Sequence, residues 1–452
     1  MEISTSQLSK RVFGISWPIL LEVTLASLFG MVNMVVLGNY EQGEFASNVN
    51  VAAVGLVNGP TVFILTIVQA LGVGGTTLIA RSFGAKETKR LGIILKHNLL
   101  LGMLLSTVCV GASLLFQRNV MTFMGANAET LAASQIYYRF IVVGLWFNCV
   151  TALIAASVRG VGETQIPMKI NVMANTLNVI LAYTLVYGLG FLPELGIVGA
   201  GIATFSSNLF SSVMLIYYVT AGKSVIRIRW FEKFKIEWHT LQLILRFGLP
   251  SMGEQFILRF SIILYTKIVA SLGTSHMAAH QIALNILSLS ITPGQALGIA
   301  ASTLVGQSLG AKEPVLADRY GKQCAKFGLI FGCVMSVVFL LLRGSIGHLY
   351  TSNMEVVTLL SIPMFWMALM TPFQLLQLVQ VGALRGVGDT VFPMFATGFS
   401  VLCIRVALSY LFVKIFGWGL AGAWQAVVCD QMVRSLLITW RYRQGKWQEI
   451  QV

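Results

Sequence analysis

Six ionisable residues stand inside long apolar runs of this chain: Glu22, Glu254, Arg259, Arg405, Asp430 and Arg434. A charge at membrane depth costs several kcal/mol unless it is paired or wet, so each is a candidate for chemistry. Glu22 follows Pro18 by four residues and Glu254 follows Pro250 by four, where a proline disturbs the helical backbone. Glu22 lies eleven residues past Arg11, about 16 Å along a helix, and Glu254 eight past Arg246, about 12 Å. Their matched placement points to a cavity role, and hydrogen bonding to neighbouring helices is the plainer alternative. Such a carboxylate could carry a proton. It could instead stay ionised and hold Na⁺ with neutral oxygens, for which Gln255 and Asn285 are candidates. Of the two acids, Glu254 is the better placed for ion coupling.

Arg405 and Asp430 each reach roughly mid-membrane on adjacent helices, and Arg434 stands one turn from Asp430. A structural ion pair between Arg405 and Asp430 is expected, with a transport role as the alternative. Arg259 has no partner that the sequence names. Gln374, Gln377 and Gln380 recur every three residues on one helix face. They form either a polar cavity wall or a ladder of interhelical hydrogen bonds. His280 opens an apolar span beside Gln281 and either packs between helices or joins that cavity.

The six cysteines show no CxxC spacing and stand apart from histidines, so neither a disulfide framework nor a metal site is expected. No GxxxxGK[ST] or HExxH motif occurs. A soluble enzyme and an ATP-driven pump are thereby disfavoured. No cofactor is expected, and energy would come from a Na⁺ or H⁺ gradient.

The elements that must position these groups are membrane helices. Of 452 residues, 56% are hydrophobic and 11% charged, with a mean hydropathy of +0.78. A soluble domain carries about 25% charged residues. Apolar runs able to cross a core of about 30 Å recur along the whole chain, which reads as about twelve spans. The net charge of +14 comes from Lys and Arg concentrated in alternate loops. The positive-inside rule then puts both termini in the cytoplasm, and nucleic acid is not an expected partner. No cleavable signal peptide is apparent.

An internal repeat organises the chain. LGVGGTTLIARSFGAKE begins at Leu71 and LGIAASTLVGQSLGAKE at Leu297, 226 residues later. RGVGET at Arg159 and RGVGDT at Arg385 recur at the same offset of 226. The Pro18/Glu22 and Pro250/Glu254 pairs differ by 232, so the first half carries about six extra residues, most simply in the loop 39–50. The expected fold is therefore an all-α membrane protein of two pseudo-symmetric six-helix bundles, residues 1–220 and 241–452. They are joined by a basic cytoplasmic linker, 221–240. A parallel repeat of this kind places a substrate cavity between halves.

Trp17-Pro18-Ile19-Leu20-Leu21-Glu22, Val51-Ala52-Ala53-Val54-Gly55, the two Gly-Ala-Lys-Glu loops, the RGVG[ED]T pair, Gly248-Leu249-Pro250 with Glu254-Gln255, and Ala278-Ala279-His280-Gln281-Ile282 resemble the multidrug and toxic compound extrusion (MATE) family. The resemblance covers almost the whole chain. It implies a V-shaped transporter in the cell (inner or plasma) membrane that exports cationic, amphiphilic organic compounds in exchange for Na⁺ or H⁺. Its partners would be those compounds and membrane lipids, and a monomer is expected. Many members carry an ion-binding Asp late in the first helix, in a Val-Asp-Thr context. This chain has Val32-Asn33-Met34 there. Asn33 cannot ionise, though its carbonyl could still meet Na⁺. A flippase for a lipid-linked or polysaccharide precursor is the alternative, against which twelve spans argue mildly.

Overall fold

The computed structural model describes residues 4–30, 32–40, 47–188, 193–228, 235–351 and 353–450. No strand occurs among them. In a bilayer no water is available to the backbone, so a chain this apolar must satisfy its N–H and C=O groups within helices. The order is α1 (Thr5–Gly30), α2 (Val32–Gly38), α3 (Ser47–Gly84), α4 (Thr88–Leu115), α5 (Gln117–Phe123), α6 (Ala128–Gly160), α7 (Gln165–Tyr187) and α8 (Gly196–Thr220). There follow α9 (Trp238–Ala270), α10 (Thr274–Gly310), α11 (Pro314–Leu342), α12 (Met354–Val387), α13 (Val391–Gly398), α14 (Ala407–Tyr410) and α15 (Gly419–Arg443). Around α14, residues Phe399–Val406 and Leu411–Ile415 take the wider π-helical turn.

Among the described residues, ten segments are long and apolar enough to cross a membrane. Two further long helices, α9 and α15, bring the number to the expected twelve. These two are the more polar pair, carrying Glu254 and Arg259, and Asp430 and Arg434. Leu104, Val108, Leu341, Phe395 and Leu436 are among many apolar side chains more than 60% exposed. That is the pattern of a surface solvated by lipid tails.

The repeat is written in the backbone as well. Lys86 and Lys312, 226 residues apart, both take a left-handed conformation at φ 63° and 61° in their Gly-Ala-Lys-Glu turns. Gly162 and Gly388 do so at 95° and 94° within RGVG[ED]T.

The chain forms two compact units. One comprises Leu21–Ile79 and Glu87–Leu245. Its core joins Val36, Leu37, Ala53, Val57, Val142 and Ala200. The other comprises Met1–Leu20, Ala80–Lys86 and Arg246–Val452. These boundaries depart from the sequence halves 1–220 and 241–452, and the reason is packing. Leu8 and Val12 lie in one core with Leu297, Ala301, Leu304 and Leu384. Arg81 donates to the carbonyls of Val387 at 3.0 Å and Ile450 at 2.8 Å. Gly84 and Gly310 let the ends of α3 and α10 approach closely, as small residues do between membrane helices.

The start of the 221–240 linker is ordered. Ile226 and Ile228 are buried, and the Ile228 N–H donates to the Val219 carbonyl at 3.1 Å. Residues 229–234 of the linker, and 41–46 of the loop assigned the extra residues, lie outside the described residues.

Candidate functional site

Glu22 and Glu254 are 6% and 3% exposed. Each meets the arginine of the RGVG[ED]T motif in its own unit. The Arg159 guanidinium, at the end of α6, donates to Glu22 Oε1 at 2.5 Å, and Asn171 Nδ2 on α7 donates to the same oxygen at 2.5 Å. The Arg385 guanidinium, at the end of α12, donates to Glu254 Oε2 at 2.6 Å, and Thr397 Oγ1 on α13 donates to Oε1 at 3.1 Å. Asn171 and Thr397 stand 226 residues apart, as do the two arginines. The same three-part cradle is therefore built twice.

The two cradles differ in their third residue, Asn171 against Thr397, and in how they load the carboxylate. Both oxygens of Glu254 are hydrogen-bonded, whereas Glu22 Oε2 is buried without a partner. From sequence, Glu254 is the better placed of the two for coupling. The geometry gives Glu22 the same anchorage and one open oxygen.

The same motif holds a second acid, four residues beyond its arginine. Glu163 Oε2 accepts from Tyr218 Oη at 3.1 Å and Ser224 Oγ at 2.7 Å, and Oε1 accepts from the Val225 N–H at 3.1 Å. Asp389 Oδ2 accepts from Arg441 Nε at 2.8 Å. In each unit, one turn thus holds both the buried glutamate of the half's first long helix and the end of its last.

Gln255 and Asn285 do not join the Glu254 carboxylate. Gln255 is adjacent to Glu254 and so points about 100° around the helix. The Asn285 amide is exposed and donates to the Gln281 carbonyl of its own helix at 3.0 Å. Among the described residues, no group of three His, Cys, Asp or Glu side chains is arranged to hold a metal ion.

Arg405 and Asp430 pair as expected, through Nε at 3.0 Å and Nη2 at 2.5 Å. The cluster is larger than a pair. Arg434 Nη2 reaches Asp430 Oδ2 at 3.1 Å, and Ser400 Oγ donates to Oδ1. Asp430 is fully buried. One aspartate therefore faces two arginines.

The other expected residues separate. His280 is fully buried, with ring centroids 5.4 Å from Tyr265 and 5.6 Å from Trp424, and neither of its nitrogens has a partner. That is a packing position. Gln374, Gln377 and Gln380 are all buried. Gln380 Oε1 accepts from Thr439 Oγ1 on α15 at 2.7 Å, the interhelical alternative, while Gln374 Oε1 has no partner.

Asn33 lines a polar cavity of about 250 Å³ in the unit built from Leu21–Ile79 and Glu87–Leu245. Asn33 Nδ2 donates to Thr204 Oγ1 at 2.9 Å, and its Oδ1 is buried without a partner. Asn58, Asn148, Asn175, Asn178 and Asn208 share the wall, with no ionisable carboxylate among them. These amides are not among the residues that composition and motifs single out. The signal was present in Asn171, Asn175 and Asn178, at spacings of four and three on one helix face.

The MatE family model matches residues 18–184 and 250–411, one block in each half. A probable multidrug resistance protein NorM of Thermotoga maritima is 27% identical, the match spanning 98% of this chain and 94% of that one. The uncharacterised transporter YisQ of Bacillus subtilis is 24% identical over 96% and 94%. Among solved structures, an outward-facing multidrug resistance MATE family transporter of the MOP superfamily superposes with a TM-score of 0.87 at 22% identity, over 99% of this chain and 100% of that one.

Proposed function

Because this chain belongs to the MatE family of multi-pass membrane transporters, we propose that it exports amphiphilic organic compounds, cations among them, by alternating access in exchange for Na⁺ or H⁺. The fold class and the transport function follow from family membership. The substrate class, the coupling ion and the residues that bind it are the proposal. So are a monomeric state and a plasma-membrane location with both termini in the cytoplasm.

One observation carries the coupling assignment. Two buried carboxylates occupy equivalent places on the first long helix of each half, and each is held by the same three-part cradle. An antiporter needs a site whose occupancy biases one of two conformations. Buried acids held by a movable guanidinium are suited to that task, because binding a cation upsets the balance; Arg159 is that group at Glu22, and at Glu254 it is Arg385, with the buried Arg434 adding its field. Glu254 and Glu22 are accordingly the coupling acids. Asn33 and its amide neighbours form a neutral wall that recognises substrate by hydrogen bonding and shape. His280 and Arg405–Asp430 support the framework.

The test is efflux of ethidium from proteoliposomes under an imposed pH or Na⁺ gradient. Glu254→Gln and Glu22→Gln should both insert normally and lose gradient-driven transport. Wild-type rates in both variants, under either gradient, would remove these acids from coupling.

A further inference from the structure

The arginines of the repeated motif follow alternate-loop logic in sequence, where they read as topology signals. In the structure they reach back to membrane depth and occupy the two acids. At Glu254 both carboxylate oxygens are taken, Oε2 by Arg385 at 2.6 Å and Oε1 by Thr397 at 3.1 Å; at Glu22 one oxygen is open, but Arg159 at 2.5 Å already balances the carboxylate's single charge. Placing both cations on one buried acid would strand a net positive charge there. We propose that Arg159 and Arg385 are tethered counter-cations. The coupling ion binds Glu22 or Glu254 only as the arginine leaves, so each ion-binding event is an exchange of one positive charge for another. This rests on the reading of Glu22 and Glu254 as coupling acids and adds what must move when they are used.

The motif also supplies a destination for the displaced charge. Glu163 stands four residues after Arg159, and Asp389 four after Arg385. Glu163 clasps Tyr218, Ser224 and Val225 at the end of α8, and Asp389 clasps Arg441 at the end of α15. An arginine released from the buried glutamate competes for this second acid and loosens the clasp. Occupancy at Glu22 or Glu254 is thus passed to the end of the half's last helix through one glycine-hinged turn. Gly162 and Gly388, with φ of 95° and 94°, give that turn a conformation other residues adopt only under strain. Arg159 and Arg385 are positioning residues on this account: they set how tightly the ion binds and need not touch the exported compound.

The experiment measures the half-saturating concentration of the coupling ion, H⁺ or Na⁺. It is read by intrinsic tryptophan fluorescence of the solubilised full-length protein and by ethidium efflux in proteoliposomes. Removing a competitor should tighten ion binding, so Arg385→Gln should lower the half-saturating concentration by about tenfold or more, the equivalent of one pKa unit. Arg441→Gln, which frees Asp389 to capture Arg385, should lower it in the same direction with Glu254 and Arg385 intact. If Arg385→Gln does not insert, Arg385→Lys is read in its place. Losing the planar fork while keeping the charge should give a fall of about threefold. An unchanged half-saturating concentration in Arg441→Gln and in whichever Arg385 variant inserts, with only the maximal rate reduced, would show the arginine to be structural and overturn the proposal. Loss of ion binding in Glu254→Gln alongside that result would leave the coupling assignment standing. Undiminished ion binding in both Glu254→Gln and Glu22→Gln would overturn assignment and exchange together.

Discussion

Deleting the carboxylate of Asp430 should be the most damaging single change in the charged cluster of α15. Asp430 is the only acid bonded to Arg405 and Arg434 among the described contacts, and it takes three guanidinium hydrogen bonds. Asp430→Ala leaves two buried arginines facing each other, and breaking a buried pair this way costs about 3–5 kcal/mol. Arg405→Ala leaves Asp430 still bonded to Arg434 and Ser400. Losing charge-assisted hydrogen bonds there should cost about 1.5–3 kcal/mol. The double variant Arg405→Ala/Asp430→Ala should not recover, because Arg434 is then alone, 5% exposed, and its Nε already lacks a partner. Recovery should need the triple change Arg405→Met/Asp430→Leu/Arg434→Met, which removes every charge and keeps the volume. The assay is thermal unfolding of detergent-solubilised protein followed by size-exclusion fluorescence. Asp430→Ala should lower Tm by roughly 6–20 °C, taking 2–4 °C per kcal/mol. The triple variant should lie above Asp430→Ala. If Asp430→Ala is no worse than Arg405→Ala, or the triple loss equals the sum of the singles, the three residues do not act as one network.

Reporter fusions after Gly273 should read outside, and fusions at either terminus or in 221–240 inside; a cytoplasmic signal after Gly273 would break the twelve-span topology. Asn33→Asp puts an ionisable group into the amide-lined cavity, so the pH profile of ethidium efflux should change from the parent's, measured as rate against pH at fixed driving gradient. His280→Phe should retain Tm within about 2 °C and near-normal transport, since the ring packs between Tyr265 and Trp424 and makes no hydrogen bond. Gly388→Ala forces a side chain into positive φ against Phe247 and should lower Tm, with Gly386, outside the left-handed region, unsuitable as a control because its own Cβ would meet the Ser302 backbone.

Much of this molecule was legible in its composition and spacing. The helices followed from the apolar runs, the duplication from one recurring offset, and the Arg405–Asp430 pair from depth counted along two helices. What escaped has a common physical cause. Counting Lys and Arg in loops treats an arginine as a marker of sidedness. A guanidinium on a long, flexible stem can nonetheless leave the interface and meet a buried acid, as Arg159 does at Glu22 and Arg385 at Glu254. Periodicity reports which face of a helix is buried and is silent about which distant residue waits there. Thr439 opposite Gln380, or Thr397 beside Glu254, carries no local signal. The amides around Asn33 are individually ordinary and acquire meaning only when five helices bring them to one cavity. Gln255 and Asn285 have the right oxygens for a cation, but helical rotation turns Gln255 away from Glu254, and Asn285, on the next helix, spends its amide on the Gln281 carbonyl.

The membership of Leu8 and Val12 in the core with Leu297 and Leu384 bears on how the protein is made. The residues that complete one compact unit emerge from the ribosome first, and the body of that unit begins only at Arg246. At about 5–20 residues per second, the opening segment waits roughly 10–50 s for its partners. Throughout that interval α1 must rest in the bilayer or against a chaperone with its apolar face uncovered. A C-terminal half expressed alone would lack this plug permanently. Adding Thr5–Leu20 back as a separate peptide would then be the simplest route to restoring its yield.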